Sequence, residues 1–136
     1  MYKKPLLIVV SAVLIKDKRI FFQKRPKDKT MVGLWELPGG KIENCETPEK
    51  AIKRELFEEI GIKINIKDLI PFNFISYSYS DFHLLMPIFI LKIWSGKIFS
   101  KEKQETNFFS YEELNAIDLV DADKDILLSL KQLIKE

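Results

Sequence analysis

From Pro5 to Ile15 the chain reads PLLIVVSAVLI, with apolar side chains on both alternating faces. Such a run predicts a strand covered on both sides, and it is too short to cross a membrane as a helix. Lys16-Asp17-Lys18 reads as a turn and Arg19 to Lys24 (RIFFQK) as the hairpin partner, followed by a loop from Pro26 to Gly33 rich in charge and turn formers. Ile62 to Ile66 and Leu69 to Tyr79 alternate apolar or aromatic residues with polar ones, which predicts two more strands. His83 to Trp94 is again apolar on both faces and predicts a central strand, with Pro87 calling for a bulge or an edge position. Asn107 to Ser110 reads as a short strand. A closing amphipathic helix opens at Asp121-Ala122-Asp123, with Ile126, Leu127, Leu130, Leu133 and Ile134 as its buried stripe.

The most informative stretch lies between these strands, from Gly40 to Ile62. Thr47 offers a hydroxyl N-cap, Pro48 suits a first helical turn, and Gly61 suits a left-handed C-terminal cap, so a helix over Pro48 to Ile60 follows. Ala51, Ile52, Leu56, Phe57 and Ile60 make its apolar stripe. On the other face Glu55, Glu58 and Glu59 stand at i, i+3 and i+4 and can converge on one point. Three carboxylates at the negative end of a helix dipole repel one another and require a positive partner. A hard divalent cation with oxygen ligands answers that need, Mg²⁺ first, with Mn²⁺ as the alternative.

Composition narrows the setting. A chain of 136 residues, 46% hydrophobic, is read as one domain over residues 1–136. The 22 basic and 20 acidic side chains are mixed along the sequence, so no basic stripe marks a polymeric nucleic acid partner, and a small anionic ligand held through a metal fits better. Cys45 is the only cysteine, and no signal peptide or long apolar run is visible, so no membrane partner is expected and a cytoplasmic location is. Oligomeric state is not legible.

The spacing G-x5-E-x7-R-E-L-x-E-E-x-G-I, from Gly40 through Glu46, Arg54, Glu55, Glu58, Glu59 and Gly61, resembles the Nudix box with no position missing. The lead-in Trp35-Glu36-Leu37-Pro38-Gly39-Gly40-Lys41-Ile42-Glu43 is similar to that of MutT-type members. The resemblance implies an α/β/α sandwich around a central mixed β-sheet, where periodicity alone says only that helices and strands are combined. It implies metal binding by Glu55, Glu58, Glu59 and the Gly39 carbonyl, with Arg54 orienting the carboxylates and Gly40, Glu46 and Gly61 as structural parts of the box. Glu46 is expected to pair with Arg54, and Glu43 to face solvent.

Phe108-Phe109-Ser110-Tyr111-Glu112-Glu113-Leu114 resembles the run that closes many Nudix domains, and counted back from it Glu102 falls where MutT-type members carry an extra metal-binding or water-activating glutamate, with Glu105 a close competitor. The general base is left between Glu55, Glu102 and Glu105. Arg25 reads either as a solvated strand end or as a guanidinium fork for phosphate or base. Asp123 falls at the position that the resemblance implies can contact the nucleobase, or reads as a helix-start acid favoured by the dipole. Phe74, Tyr77 and Tyr79 could stack a base but are read first as core, and His83 is assigned no role.

The activity implied is Mg²⁺-dependent cleavage of a nucleoside triphosphate to monophosphate and pyrophosphate, in the first instance of 8-oxo-dGTP, a sanitation task serving DNA repair. Leu37 stands where the bacterial prototype has a bulkier aromatic, and Phe82 stands where a base-contacting arginine is expected. These departures keep open a pyrimidine pocket taking CTP or a methylated dCTP, or another nucleoside-diphosphate-X substrate. A nucleotide-recognition module without turnover is the alternative of another class, and the intact acidic cluster argues against it.

Overall fold

A computed structural model describes residues 3–26 and 29–135. Lys27 and Asp28, within the loop expected from Pro26 to Gly33, lie outside the described residues. Along the chain come β1 (Leu6–Lys16), β2 (Arg19–Lys24), β3 (Trp35–Glu36), β4 (Gly39–Lys41), α1 (Pro48–Ile60), β5 (Ile70–Ser78), β6 (His83–Leu91), β7 (Thr106–Phe109), α2 (Asp121–Lys124) and α3 (Leu127–Ile134).

The strands form one seven-stranded sheet with β1 at its centre, in the order β3-β2-β1-β6-β5, while β4 pairs with β1 and β7 with β2. The β1–β6 pair is parallel and the other pairs are antiparallel, so the sheet is mixed. Both faces of β1 are covered from Val10 to Leu14, whereas Leu6 and Ile8 at its start are exposed. Val10, Ala12 and Leu14 pack with Ala51, Ile52, Leu56 and Ile60 of α1, and Val13 packs in a second core with Ile126, Leu130 and Ile134. The result is the α/β/α sandwich. No helix among the described residues is long and apolar enough to cross a membrane.

The β1–β2 turn is made by Asp17 and Lys18, both with positive φ, 52° and 57°. That backbone twist matches the twist of the flanking strands. The Trp35 to Lys41 segment is built into the sheet as β3 and β4. Glu36 pairs with Gln23, and Gly39, Gly40 and Lys41 pair with Ser11, Val10 and Val9. This pairing carries the two glycines beneath the acidic end of α1.

Three expectations are corrected. Ile62 to Ile66 is not a strand: Lys63 makes a single bridge to Ser95, and a 3₁₀ turn follows at Ile66–Asp68, where the Asn65 side chain accepts the Lys67 amide. A local side-chain cap competes with the ladder there. Pro87 carries no bulge of its own; the β1–β6 ladder lapses between the pairs Ile8–Leu85 and Ser11–Ile88, and the bulge lies on β5 between Pro71 and Asn73. The closing helix is broken into α2 and α3. Its first turn is pinned by bonds from the Ala122 amide to the Tyr79 hydroxyl and from the Leu37 amide to Asp123, ahead of the Ile126, Leu130 and Ile134 stripe.

Candidate active site

Local signals set the register of α1. The Thr47 hydroxyl accepts the Lys50 amide at 3.2 Å, Pro48 occupies the first turn, and Gly61 takes a left-handed φ of 74° while its amide reaches the Phe57 carbonyl at 3.1 Å. With Ile52, Leu56 and Ile60 buried, the acidic residues must face the cleft beside β4. Phe57, expected in the apolar stripe, is exposed, with the Lys101 ammonium 4.6 Å from the centre of its ring.

Arg54 organises this end of the helix. Its Nε donates to Glu46 Oε2 at 2.8 Å and NH2 to Glu46 Oε1 at 2.9 Å, while NH1 donates to Glu55 at 2.8 Å and to Glu58 at 3.2 Å. NH2 also donates to the Lys41 carbonyl at 3.0 Å, and Glu43, exposed as expected, comes within 3.2 Å of Nε. These bonds lower the Glu46 pKa to about 2, the Arg54 hydrogen bond being the largest cause, and raise that of Arg54 further above its ordinary value.

The other carboxylates are pushed the opposite way. Burial raises Glu55, with Arg54 opposing, and burial raises Glu59 to about 8, with the donors Gln23 and Gly39 opposing and Glu55 and Glu36 adding to the rise. Glu59 Oε1 accepts the Gly39 amide and Oε2 accepts the Gln23 side-chain amide, each at 3.1 Å. These two partly buried acids share one cleft, where a cation would favour their charged forms.

Glycines make room for this arrangement. A Cβ on Gly39 would overlap the Val10 carbonyl oxygen, and a Cβ on Gly40 would overlap the Glu55 carboxyl. The carboxyl therefore lies where any other residue would place its side chain.

Glu55, Glu58 and Glu59 line one cleft of about 510 Å³ together with Glu36 and Glu102. Among the described residues, no three acidic, cysteine or histidine side chains are gathered tightly enough to enclose an ion. Arg54 draws Glu55 and Glu58 to itself, whereas Glu59 is turned toward Gly39 and Gln23. The donors available are nevertheless all oxygen, the set that suits a hard divalent cation. Glu105 points elsewhere, 3.7 Å from Lys24 Nζ and outside this cleft.

Next to the carboxylate cleft is an apolar pocket of about 300 Å³, with Leu37, Tyr79, Phe82, Met86 and Asp123 in its walls. Val9, Arg25, Glu36, Gly39 and Lys41 line both spaces. Arg25 is no solvated strand end. Its NH1 donates to Glu36 at 3.1 Å and its Nε to the Thr30 carbonyl at 2.8 Å, which fixes the guanidinium at the junction. Asp123 is 3% exposed, and its Oδ2 accepts the Leu37 amide at 3.0 Å. Burial raises it to about 7 against that hydrogen bond, so it is not an ordinary helix-start acid at the surface. Tyr79 and Phe82 pack ring to ring at 5.0 Å in the pocket wall, whereas Phe74 is exposed and the His83 ring bonds the Ser76 hydroxyl.

Sequence reasoning passed over Glu36 and Gln23. A charge between Trp35 and Leu37, and an amide inside the apolar run RIFFQK, were the available signals. Burial raises Glu36 too, with Arg25 opposing.

The NUDIX domain description matches residues 5–130. The chain belongs to the Nudix family. This Nudix chain is 36% identical over 130 residues to the 8-oxo-dGTP diphosphatase of Escherichia coli (strain K12), spanning 96% of this chain and 99% of that one. It is 31% identical over 119 residues to the CTP pyrophosphohydrolase of the same strain, spanning 88% and 87%. The crystal structure of a MutT NUDIX hydrolase from Burkholderia pseudomallei superposes with a TM-score of 0.82 at 25% identity, over 92% of this chain and 98% of that one. As a Nudix hydrolase the protein is an enzyme acting on phosphoanhydride bonds.

Proposed function

We propose that the protein is a Mg²⁺-dependent pyrophosphohydrolase that converts 8-oxo-dGTP to 8-oxo-dGMP and pyrophosphate in the cytoplasmic nucleotide pool. One arrangement carries this reading: an apolar pocket beside a cleft of carboxylates, with Arg25, Glu36, Gly39 and Lys41 shared between their walls. A base held in the first space leaves its phosphates at the second. The 36% identity to an 8-oxo-dGTP diphosphatase over nearly the full length supports the same substrate.

Glu55, Glu58, Glu59, Glu102 and the Gly39 carbonyl would hold Mg²⁺, or Mn²⁺ in its place. When bound there, the ion would offset polyphosphate charge and lower the pKa of a coordinated water. Glu55 or Glu102 accepts the proton of the attacking water as the anhydride bond breaks and pyrophosphate leaves. Arg54 orients Glu55 and Glu58 through charged hydrogen bonds, and Arg25 meets phosphate or base at the junction. Leu37 and Asp123 line the base pocket, and Gly40, Glu46 and Gly61 hold the framework.

A second reading, CTP or a methylated dCTP, is favoured by Leu37 and Phe82 in the pocket wall and by the relative named CTP pyrophosphohydrolase. Comparing kcat/KM across 8-oxo-dGTP, dGTP, CTP, methylated dCTP and ADP-ribose, with the leaving product identified, separates the two. An 8-oxo-dGTP value no higher than that for dGTP defeats the first reading.

A further inference from the structure

Gln23 is 1% exposed in β2, where its backbone pairs with Glu36 of β3 on one side and Thr106 of β7 on the other. Alternation along the strand places it on the face of Phe21, which packs in the core beneath α1. Its Nε2 donates to Glu59 Oε2 at 3.1 Å, and the Gly39 amide donates to Glu59 Oε1 at the same distance. The Glu59 carboxylate is thus gripped at each oxygen by a different strand, which sets the plane of the group.

The Gln23 carbonyl oxygen, Oε1, is buried without a hydrogen-bond partner among the described residues. With Glu59 ionised, as it must be to hold a cation, turning the amide over gives no relief, because it sets a carbonyl oxygen against a carboxylate oxygen and removes the donor. An unpaired buried acceptor weakens a fold, whereas an apolar side chain of similar length would not carry that cost. Gln23 therefore serves the carboxylate at the expense of the core.

We propose that Gln23 is a positioning residue that holds the Glu59 carboxylate in the orientation needed to bind a divalent cation. This rests on the reading of Glu59 as a metal-holding carboxylate. A hydrogen-bonding partner behind a metal-binding group commonly changes metal affinity or activity by about 10- to 100-fold when removed.

The test uses Gln23→Met and Gln23→Leu, judged on whichever is the more stable, so that a clash peculiar to one side chain does not decide the result. Three quantities are measured: the thermal midpoint of the metal-free protein, the Mn²⁺ dissociation constant by electron paramagnetic resonance titration, and kcat and KM for the nucleotide. The expected result is an unchanged or raised metal-free midpoint, Mn²⁺ bound at least about 10-fold more weakly, and kcat lowered by a similar factor with KM within about twofold. A metal-free midpoint that falls overturns the proposal whatever the Mn²⁺ result, since Gln23 would then be packing. Unchanged Mn²⁺ affinity also overturns it. Glu59→Gln separates the two levels. If that variant binds Mn²⁺ as tightly as the unaltered chain, the reading of Glu59 fails; if it loses Mn²⁺ and the Gln23 variants do not, only the role of Gln23 fails.

Discussion

Arg54 holds Glu46 at both carboxylate oxygens, Nε to Oε2 at 2.8 Å and NH2 to Oε1 at 2.9 Å, and so ties the loop before α1 to the helix that carries the acids. The folded-state pKa of Glu46 is lowered to about 2, below its ordinary value. The stabilisation is therefore present above the unfolded pKa, about 4.3, and is lost as pH falls toward 2. Thermal midpoints from pH 6 to 2 should fall less steeply for Glu46→Gln than for the unaltered protein. Arg54→Lys loses the planar fork, and its kcat/KM should drop by roughly 100-fold, the scale of a positioned charge-assisted group.

Glu102 lines the carboxylate cleft, and Glu105 faces Lys24 outside it. Glu102→Gln should lower kcat by about 100-fold, while Glu105→Gln should stay within about twofold. Steady-state kinetics on the two single variants at saturating Mg²⁺ provides the check. Equal losses in both would return the assignment to open competition.

Neighbouring glycines should fail in different ways. A Cβ on Gly39 meets the backbone oxygen of Val10, which cannot move without disturbing the β1–β4 pairing. Gly39→Ala should destabilise by about 1–3 kcal/mol in urea unfolding, as overpacking does. A Cβ on Gly40 meets the Glu55 carboxyl, the far end of a flexible side chain. Gly40→Ala should keep its unfolding midpoint but lose kcat, because the carboxyl alone is displaced.

Asp123 titrates against the fold. Its folded pKa is raised to about 7 by burial, so the stability it confers is full below the unfolded value near 3.9 and is lost as pH rises through 7. By linkage that loss reaches no more than about 4 kcal/mol at pH 8. Asp123→Asn cannot ionise, and its amide oxygen can still accept the Leu37 amide. Relative to the unaltered protein, its thermal midpoint should rise between pH 5 and 8. A constant difference over that range would mean that Asp123 does not ionise on unfolding.

The limits of α1 were legible in the residues because their causes are local, whereas the Arg54–Glu46 pair was expected from the resemblance to the Nudix box. A hydroxyl cap at Thr47, a first-turn proline at Pro48 and a left-handed glycine at Gly61 act within a turn or two, and Glu46 and Arg54 are 8 positions apart. The box also determined the class of chemistry, since Glu55, Glu58 and Glu59 must share a helix face whatever surrounds them. The rest depends on which segments pack together. The bond between Asp123 and the Leu37 amide joins positions 86 apart, and the one between Gln23 and Glu59 joins positions 36 apart. No local propensity encodes such contacts; they exist because burial of the two apolar cores sets α1 against β2 on one face of the sheet and α2 beside the end of β3 on the other. The same packing turned Glu102 into the cleft and Glu105 out of it, and it made Glu36 and Arg25 the shared wall between a base-sized pocket and the carboxylates.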